Sequence, residues 1–488
     1  MSTINLGKTL PILGLTASVL FLSCGKDNDG GTENPPNNGI EWKNHSVTPA
    51  FIKKLSGFES LEVYSLISSD DTLPQSPNYV FGGSADGSGI LKQGDNYVML
   101  VNQEDNYSVS RITLDKTFKP VKGEYVLNSD GGQWRLCSAT LATPEIHGFG
   151  PLYLTCGESN VEGNVHGLDP LAAAGNPATG HELKALGFRS AENAVPLPKG
   201  TYAGKTVILI GEDAEDASGG QVFLYMSNTV GDLQKGSQFM LRRADGNQRE
   251  TDMKTGSTYD VEFVRYDSTL TGAQVALLTD PLKAIKFGRV EDVDYRKGSD
   301  ANGREIYFTV TGQPVSGVTA DGARTQWGRV YRLVLNANDP LKGKLEVILD
   351  GDDDNGPANK FQNPDNVCVT ENYVYVQEDS NGYGAEDHDA YVYQYTIASK
   401  QLKPVFELDH HRTAPDAAKY GSATSKFGSW EYGSLVDISS VIGVDNVFTL
   451  CIQPHTWHGA RYKGADGGAK RVNEDQGSEI VVIKGLPR

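Results

Sequence analysis

The chain consists largely of short runs in which β-branched or aromatic residues alternate with polar ones, and clusters of Gly, Asn and Asp separate the runs. Residues 373–376 (Tyr-Val-Tyr-Val) and 391–395 (Tyr-Val-Tyr-Gln-Tyr) show the pattern most clearly. A period of two is typical of strands, and the clusters predict turns. No long stretch keeps the apolar period of a helix, and the best helical candidates are the short segments 50–55 and 169–174. We therefore predict an all-β chain with a few short helices.

Several of these apolar strands run directly into an acidic residue. Acidic ends follow the runs 97–102, 152–155, 207–210 and 373–376. Glu158 follows Glu104 by 54 residues, and Glu431 follows Glu378 by 53. Spacings of about 50 residues fit one four-stranded blade per repeat of a β-propeller, whose innermost strands end near a common axis. We predict a propeller of six or seven irregular blades with loop insertions, for example at 213–220 and 312–326; a pair of β-sandwiches is the alternative.

The charge balance makes nucleic acid an unlikely class of partner. Of the 488 residues, 44 are Lys or Arg and 62 are Asp or Glu, which gives a formal net charge of −18. Such a field repels a polyanion. The excess of carboxylates fits bound cations, although a solvated acidic surface is its ordinary explanation.

The N-terminus has the features of an export signal. Residues 1–23 contain a single cation, Lys8, before the apolar stretch 10–22, which is too short to be a stable membrane span. Residues 21–24 (Phe-Leu-Ser-Cys) resemble a bacterial lipobox, which implies cleavage before Cys24 and attachment of a lipid to its sulfur. An ordinary cleaved signal with a chance cysteine is the alternative. Residues 24–45 have few apolar anchors and are predicted to be a flexible acidic tether, and residues 46–488 a single propeller domain.

Four cysteines remain after Cys24, namely Cys137, Cys156, Cys368 and Cys451. An even number in an oxidising compartment permits two disulfides. They are widely spaced without a CxxC pair, and Cys368 and Cys451 lie in apolar runs where a buried free thiol is expected.

Familiar catalytic motifs are missing from the sequence. Residues 200–206 have three residues between the glycines where a P-loop needs four, and the acidic run from residue 350 has the wrong sixth and twelfth residues for an EF-hand. Neither GxSxG nor HExxH occurs.

The acidic strand ends are the remaining candidates for chemistry. Carboxylates gathered in one cavity repel one another unless cations neutralise them, so a converging set predicts bound metal. Oxygen ligands select hard ions such as Ca²⁺, whereas a thiolate among carboxylates also suits iron. Cys156 and Glu158 are two apart on a predicted strand and are therefore expected to face the same side.

From about Tyr97 to Trp457 the motifs resemble those of the PhoX-type alkaline phosphatases, which are calcium- and iron-dependent β-propeller enzymes. Residues 101–104 (Val-Asn-Gln-Glu) resemble the family's Asn-His-Glu strand end, and 154–158 (Leu-Thr-Cys-Gly-Glu) its Leu-Thr-Cys-Glu-Glu segment. Residues 186–192 are similar to Leu-Gly-Arg-Phe-x-His-Glu without the His, 211–213 to Gly-Asp-Asp, and 288–292 to Arg-Pro-Glu-Asp. Residues 364–366 (Pro-Asp-Asn), with the acidic end 377–379, match another family strand, and 430–433 and 453–455 match its closing blade.

This resemblance implies an extracytoplasmic, metal-dependent phosphatase that hydrolyses phosphate monoesters and releases inorganic phosphate. It implies Ca²⁺ and Fe³⁺ as cofactors, Arg289 as the group that binds substrate phosphate, and Glu291 and Cys156 as catalytic groups. The implied metal ligands are Glu104, Cys156, Glu158, Glu192, Glu212, Asp213, Glu291, Asp365, Glu378 and Glu431. The family's twin-Arg export signal is absent from residues 1–23, which predicts that metal is acquired outside the cytoplasm.

We expect a monomer, held at the outer membrane or cell surface through the lipid on Cys24, whose partners are small phosphate monoesters. A calcium-dependent propeller lactonase or esterase is the alternative enzyme. A surface propeller that binds ligands without catalysis is the alternative from another class.

Overall fold

The computed structural model describes residues 39–173, 175–314, 316, 321–421 and 425–488. The predicted signal peptide, Cys24 and the tether as far as residue 38 lie outside the described residues. Residues 40–45, which were assigned to the tether, pack against the propeller instead. Ile40 is buried, and the backbone N–H of Glu41 donates to the carbonyl of Thr117 at 3.0 Å. No helix in the described part of the chain is long and apolar enough to cross a membrane.

The described residues are almost entirely strands. The strands are β1 Ile52–Lys54, β2 Glu62–Ser68, β3 Ala85–Gln93, β4 Asn96–Gln103, β5 Ser108–Leu114, β6 Pro120–Leu127, β7 Arg135–Ala142, β8 Leu152–Glu158, β9 Val165–Leu168, β10 Ala191–Pro196, β11 Thr206–Glu212, β12 Gln221–Ser227, β13 Ser237–Arg243, β14 Thr258–Tyr266, β15 Val290–Tyr295, β16 Glu305–Val310, β17 Arg329–Leu335, β18 Lys342–Asp350, β19 Pro364–Val369, β20 Tyr373–Glu378, β21 Tyr391–Thr396, β22 Gln401–Leu408, β23 Glu431–Asp437, β24 Val447–Gln453 and β25 Glu479–Lys484. The predicted all-β class is confirmed.

Helices are few and short, as the sequence predicts. The α-helices are α1 Ser129–Gly132, α2 Pro144–His147, α3 Gly272–Ala276, α4 Thr279–Leu282 and α5 Ser439–Ile442; single 3₁₀ turns lie at Lys184–Leu186, Glu250–Asp252, Asn302–Arg304, Ala417–Tyr420 and Ala460–Tyr462. The helical candidate at 50–55 is wrong, because residues 52–54 form β1 and pair with β22. The candidate at 169–174 lies in a turn as far as residue 173.

The strands form a propeller-like arrangement of sheets. Four are separate blades, with the orders β3-β4-β5-β6, β7-β8-β9, β1-β22-β21-β20-β19 and β2-β25-β24-β23. The fifth is a nine-stranded sheet, β10-β11-β12-β13-β14-β18-β17-β16-β15, whose end strands β10 and β15 pack against each other, so that it is a nearly closed barrel. The prediction of six or seven blades is therefore wrong for the described residues. The outer strands β14 and β18 pair antiparallel, and this pairing joins two stretches of chain into one sheet.

Six inner strands surround the axis of the molecule. β3, β7, β10, β15, β19 and β23 each pack against the next, and β23 packs against β3 to close the ring. The approach is close, since a Cβ on Gly87 in β3 would lie 2.4 Å from the backbone nitrogen of Ala139 in β7. The hydrophobic core lies outside this ring, between and within the sheets, where the alternating Val, Ile, Leu and aromatic side chains pack.

Every inner strand carries the same irregularity near its start. In β3, Ala85 pairs with Gln103 but Ser88 pairs with Val101, so three steps on the inner strand match two on its neighbour. The same shift recurs in β7, β10, β15, β19 and β23. One extra residue of this kind is a β-bulge, which breaks the alternation of side chains and bends the strand. Two residues at each bulge are thereby freed from the regular pairing of the sheet.

Candidate metal centre

The bulges of the inner strands supply most of the acidic side chains that meet at the axis. The first bulge residues are, in chain order, Asp86, Cys137, Glu192, Glu291, Asp365 and Gly433. The sixth has no side chain, because a Cβ on Gly433 would lie 2.6 Å from the carbonyl oxygen of Ala85 in the neighbouring strand. The cluster is completed by Glu431 at the start of β23 and by residues at or just after the ends of second strands, namely Glu104, Glu158 and Asp379.

Eight carboxyl groups and one thiol have ligand atoms close enough to share ions. Four overlapping groups each place three such atoms within 4.8 Å of one another: Asp86, Cys137 and Glu192; Glu104, Cys137 and Glu158; Glu192, Glu291 and Asp365; and Asp365, Asp379 and Glu431. Because Cys137, Glu192 and Asp365 each belong to two groups, the four form one continuous cluster, which we call the axial cluster. It joins carboxylates from the blades on opposite sides of the ring.

The second residue of each bulge is small and, except for Gly87, polar, and several of these residues link inner strands through side-chain hydrogen bonds. The Ser138 hydroxyl donates to Glu192 Oε1 at 2.8 Å, and Asn366 Nδ2 donates to Ser138 Oγ at 2.9 Å. The Asn193 amide donates to Asp292, which also accepts from the backbone N–H of Val367 at 3.0 Å. These side-chain hydrogen bonds fix the positions of the acidic groups above them.

Burial and mutual repulsion raise the pKa of the acidic groups. Burial, followed by the nearby Asp213, raises the pKa of Glu158 to about 8. The pKa lies well above the ordinary range for five further carboxyl groups of the cluster, those of Asp86, Glu192, Glu291, Asp365 and Glu431. In each of them burial is the largest cause, and repulsion by neighbouring carboxylates adds to it. The cluster therefore favours either protons or bound cations in place of free negative charge.

Arg289 is held by carboxylates at one side of the cluster. Its Nε and Nη2 donate to the two carboxylate oxygens of Asp213 at 2.7 and 2.8 Å, Nη1 donates to Asn381 at 2.6 Å, and Nη2 lies 3.2 Å from Glu291. The guanidinium offsets the effect of burial and lowers the pKa of Asp213. Arg289 directly precedes β15 with a φ of 71°, an unfavourable conformation for a side chain with a Cβ that marks functional positions.

Arg135 is a second arginine at the cluster. Its Nη1 donates to Glu104 at 2.7 Å and lies 2.8 Å from Asp105. Its side chain is 38% exposed, against 22% for that of Arg289. In the described part of the chain its Nε and Nη2 make no hydrogen bond. This edge of the guanidinium has the fork geometry that matches two oxygens of a phosphate.

The structure places most of the sequence-predicted ligands in the axial cluster. These are Glu104, Glu158, Glu192, Glu291, Asp365 and Glu431. Glu104 accepts from Gln453 at 3.0 Å, and Glu431 lies 3.0 Å from His455 Nε2, so the predicted closing-blade residues also meet here.

Cys156 does not belong to any of the four groups, which corrects its assignment as a metal ligand and catalytic group. Its side chain is fully buried in an apolar core cluster with Leu154, Val165 and Ile208, and burial raises the pKa of its thiol well above the ordinary range. The thiol of the axial cluster is that of Cys137, which donates to Glu158 Oε2 at 3.0 Å. Cys137 reaches the axis because it is the first residue of a bulge on an inner strand, whereas Cys156 lies on the second strand, where it pairs with Val165 of β9.

Three further assignments also change. Glu212 is buried outside the four groups, and burial raises its pKa to about 8. Asp213 forms the bidentate pair with Arg289 and is not in these groups. Glu378 accepts from the backbone N–H groups of Gln362 and Tyr391 and contacts His388, so it stabilises its blade, and the next residue, Asp379, reaches the cluster.

Sequence reasoning missed Asp86, Cys137, Asp379 and Arg135. A signal for two of them is visible in retrospect, since Asp86-Gly87 and Cys137-Ser138 resemble Glu192-Asn193, Glu291-Asp292 and Asp365-Asn366 as pairs of a ligand and a small polar residue or glycine. Asp379 follows directly on a predicted acidic end.

The donor set fits bound cations of two kinds. Eight carboxylates face few basic groups, and Asp86 Oδ1 is a buried oxygen without a hydrogen-bond partner among the described residues. Oxygen-rich groups such as Glu192, Glu291 and Asp365 suit Ca²⁺, and the groups that contain Cys137 suit a metal with affinity for thiolate, such as iron.

Comparison with known proteins supports the fold. No family model matches the chain, and no curated protein matches it in sequence. Among solved structures it is similar to PhoX of Pseudomonas fluorescens in complex with vanadate, a transition-state analogue, with a TM-score of 0.62 and 14% identity over 90% of this chain and 96% of that one. Weaker similarities include an α-L-arabinofuranosidase of Fusarium graminearum (TM-score 0.40, 11% identity, 86% and 98% covered) and a sugar dehydrogenase of Streptomyces coelicolor (0.34, 10%, 87% and 99%). At such identities these similarities concern the fold alone.

Proposed function

We propose that the protein is a metal-dependent phosphatase that hydrolyses phosphate monoesters at the axial cluster, with Ca²⁺ and Fe³⁺ as its cofactors. The observation that carries the proposal is the meeting, at one axis, of eight carboxylates, the Cys137 thiol and two partly exposed arginines. The similarity to PhoX, whose structure holds a vanadate, supports the proposal at the level of the fold.

The cations and the arginines have complementary tasks in such a site. Cations held by the carboxylates and by Cys137 would supply the positive charge that makes attack on a phosphate dianion feasible. Arg135 presents Nε and Nη2 towards solvent and is the better placed of the two arginines to bind two phosphoryl oxygens. The Nε and Nη2 atoms of Arg289, which was predicted to bind substrate phosphate, donate to Asp213 instead, so Arg289 contributes its charge and keeps Asp213 ionised.

The activity is tested by turnover of p-nitrophenyl phosphate and other phosphate monoesters by protein loaded with Ca²⁺ and iron. Glu291 belongs to the axial cluster, so Glu291→Gln should reduce kcat/KM about 100-fold or more by removing a cation ligand. Glu371→Gln is the matched control, because Glu371 is exposed and lies outside the cluster. Absence of turnover in the loaded wild type, or cleavage only of lactones, would contradict the proposal.

Substitution of Arg135 tests the contact with phosphate separately. We expect Arg135→Gln to raise KM for phosphate monoesters and to weaken inhibition by inorganic phosphate, each about tenfold or more, because a charge-assisted bidentate hydrogen bond is lost. Because Arg135 also donates to Glu104, the assays use protein saturated with Ca²⁺ and iron, and elemental analysis of the same preparation separates loss of the phosphate contact from loss of metal. An unchanged inhibition constant for phosphate would show that Arg135 does not contact the substrate.

The place of action is also part of the proposal. The apolar stretch 10–22 followed by Cys24 supports export and attachment of a lipid, which would hold a monomeric enzyme at the outer membrane or cell surface. There it would release inorganic phosphate from esters before uptake.

A further inference from the structure

Two adjacent histidines and a buried aspartate converge beside one blade, and none of the three belongs to the axial cluster. Asp389 lies two residues before the start of β21, and His410 and His411 lie two and three residues after the end of β22. One ligand atom from each lies within 4.8 Å of the other two, and the three share no residue with the axial cluster. We call them the blade triad.

Both imidazole rings turn the same nitrogen towards the one carboxylate. His411 Nδ1 lies 3.0 and 2.8 Å from the two oxygens of Asp389. His410 Nδ1 lies 3.3 Å from Asp389 Oδ1. The side chains of His410 and Asp389 are 0% and 1% exposed, whereas that of His411 is 31% exposed and opens the triad to solvent.

The opposite nitrogens of both rings are engaged by one residue. His411 Nε2 lies 3.1 Å from the backbone carbonyl oxygen of Ser425, and His410 Nε2 contacts the hydroxyl of the same serine. A carbonyl oxygen only accepts, so Nε2 of His411 carries a hydrogen and, in the neutral ring, Nδ1 presents its lone pair to the carboxylate. A lone pair facing a carboxylate is unfavourable, so either a proton on Nδ1, which would make the ring a cation, or a bound metal ion must lie between them.

The buried nitrogen of His410 supplies an independent sign of a ligand. Its Nδ1 is buried and has no partner with hydrogen-bond geometry among the described residues. The ring stacks on Trp430 with centroids 4.4 Å apart and planes 16° apart, and a flip that moved Nδ1 away would lose the contact of Nε2 with Ser425. A buried polar atom without a partner costs free energy in the folded protein, and a metal ion would remove that cost.

From this geometry we infer that Asp389, His410 and His411 bind a divalent transition metal, such as Zn²⁺, through one carboxylate oxygen and the two Nδ1 atoms. Two imidazoles and a carboxylate are a donor set typical of Zn²⁺ and of similar ions, and an outer hydrogen bond from Nε2 to a carbonyl is the usual way of orienting such ligands. Ligand atoms about 2.0 Å from a tetrahedral ion lie about 3.3 Å apart, close to the separations here. The His411 side chain is 31% exposed, so solvent can reach the triad from its side.

The bound ion would fasten the chain after β22 to its own blade. Ser425, which orients both rings, and Phe427, whose ring lies 4.8 Å from that of His411, belong to the segment that leads back into β23. β23 carries Glu431 of the axial cluster. The blade triad is thus a structural site, which would fix the position of the segment that leads into the inner strand β23.

Zinc content per chain tests the site in the full-length protein. Wild type, His411→Ala and Asp389→Asn are dialysed against micromolar ZnCl₂ with excess Ca²⁺, and bound zinc is measured by elemental analysis. We expect each variant to bind about one zinc fewer per chain than wild type. The matched control is His458→Ala, since His458 is exposed and contacts only Asp475 by a side-chain hydrogen bond; it should bind as much as wild type.

Cobalt spectra separate this site from the axial cluster. Co²⁺ at the blade triad should give visible d–d bands without a thiolate charge-transfer band, and the bands should vanish in His411→Ala but persist in Cys137→Ser. Circular dichroism confirms that each variant is folded. Equal zinc content in wild type and in folded His411→Ala and Asp389→Asn would overturn the inference. It would show that the polar atoms of the triad are paired through protons and not through a metal ion. Phosphatase activity does not enter either readout, so failure of the proposed function leaves this test intact.

Discussion

Replacing Cys137 with alanine is expected to reduce kcat/KM for p-nitrophenyl phosphate about 100-fold or more and to remove iron from the purified protein. The thiol lies in two of the four ligand groups, so its loss affects the ions on both sides of it. Removing even an outer partner of a metal ligand commonly costs 10- to 100-fold in affinity or activity, and the loss of a ligand itself should not cost less. Elemental analysis and steady-state kinetics on one preparation measure both effects.

Cys156→Ala is the matched comparison, because the two cysteines lie on adjacent paired strands and only one reaches the axis. Its thiol packs in an apolar core cluster, so we expect full iron content and near-normal kcat, with a loss of about 1 kcal/mol in the free energy of unfolding. Loss of iron in Cys156→Ala with full content in Cys137→Ala would reverse the assignment.

Removal of the cations should make the stability of the protein strongly dependent on pH. In the cation-free protein the pKa of Glu158 is about 8, against an ordinary value of 4.5, and the pKa values of five other carboxyls of the axial cluster are also raised well above their ordinary range, with burial as the largest cause. A carboxyl with a raised folded-state pKa stabilises the fold fully below its unfolded-state value, and this contribution is lost as pH rises through the folded-state value. Stability should thus fall from about pH 5 to pH 8, by about 1.4 kcal/mol per pH unit for each proton retained.

Thermal unfolding of chelator-treated and Ca²⁺- and iron-loaded protein at pH 5, 6.5 and 8 measures this dependence. The loaded protein should give a flatter curve, because cations take the place of the protons, and the difference in Tm should be largest at pH 8. Re-addition of Ca²⁺ at pH 8 should restore much of the Tm. Parallel curves for the two forms would show that the cluster is not a cation site.

The class of fold could be predicted because period-two alternation depends only on which face of a strand is buried. The runs at 373–376 and 391–395 are indeed β20 and β21. The number of blades could not be predicted in this way, because the pairing of β14 with β18 is a contact between distant segments with no local signal. Residues 52–54 illustrate the same limit, since an isolated segment with helical composition became a strand through pairing with β22.

The candidate site was predicted in part for a related reason. Acidic residues at the ends of predicted strands are visible in the sequence, which is how Glu104 and Glu158 were found. A bulge changes which side chains face the axis and depends on pairing with the next strand, so Asp86 and Cys137 gave no such signal. The prediction that Cys156 is a metal ligand was based on strand alternation, which puts Cys156 and Glu158 on the same face of β8. The bulge in β7 instead brings Cys137 to Glu158.

The outer strand of the last blade has a consequence for how the protein acquires its ions. β2, near the start of the described chain, pairs with β25, whose last residue is Lys484, so the sheet that carries β23 is complete only when both ends of the domain have met. In the complete sheet β23 packs beside β3, and Glu431 lies with Asp365 and Asp379. A chain whose last strands have not yet been synthesised therefore lacks part of this sheet, so we expect the axial cluster to form only after the whole domain has been made.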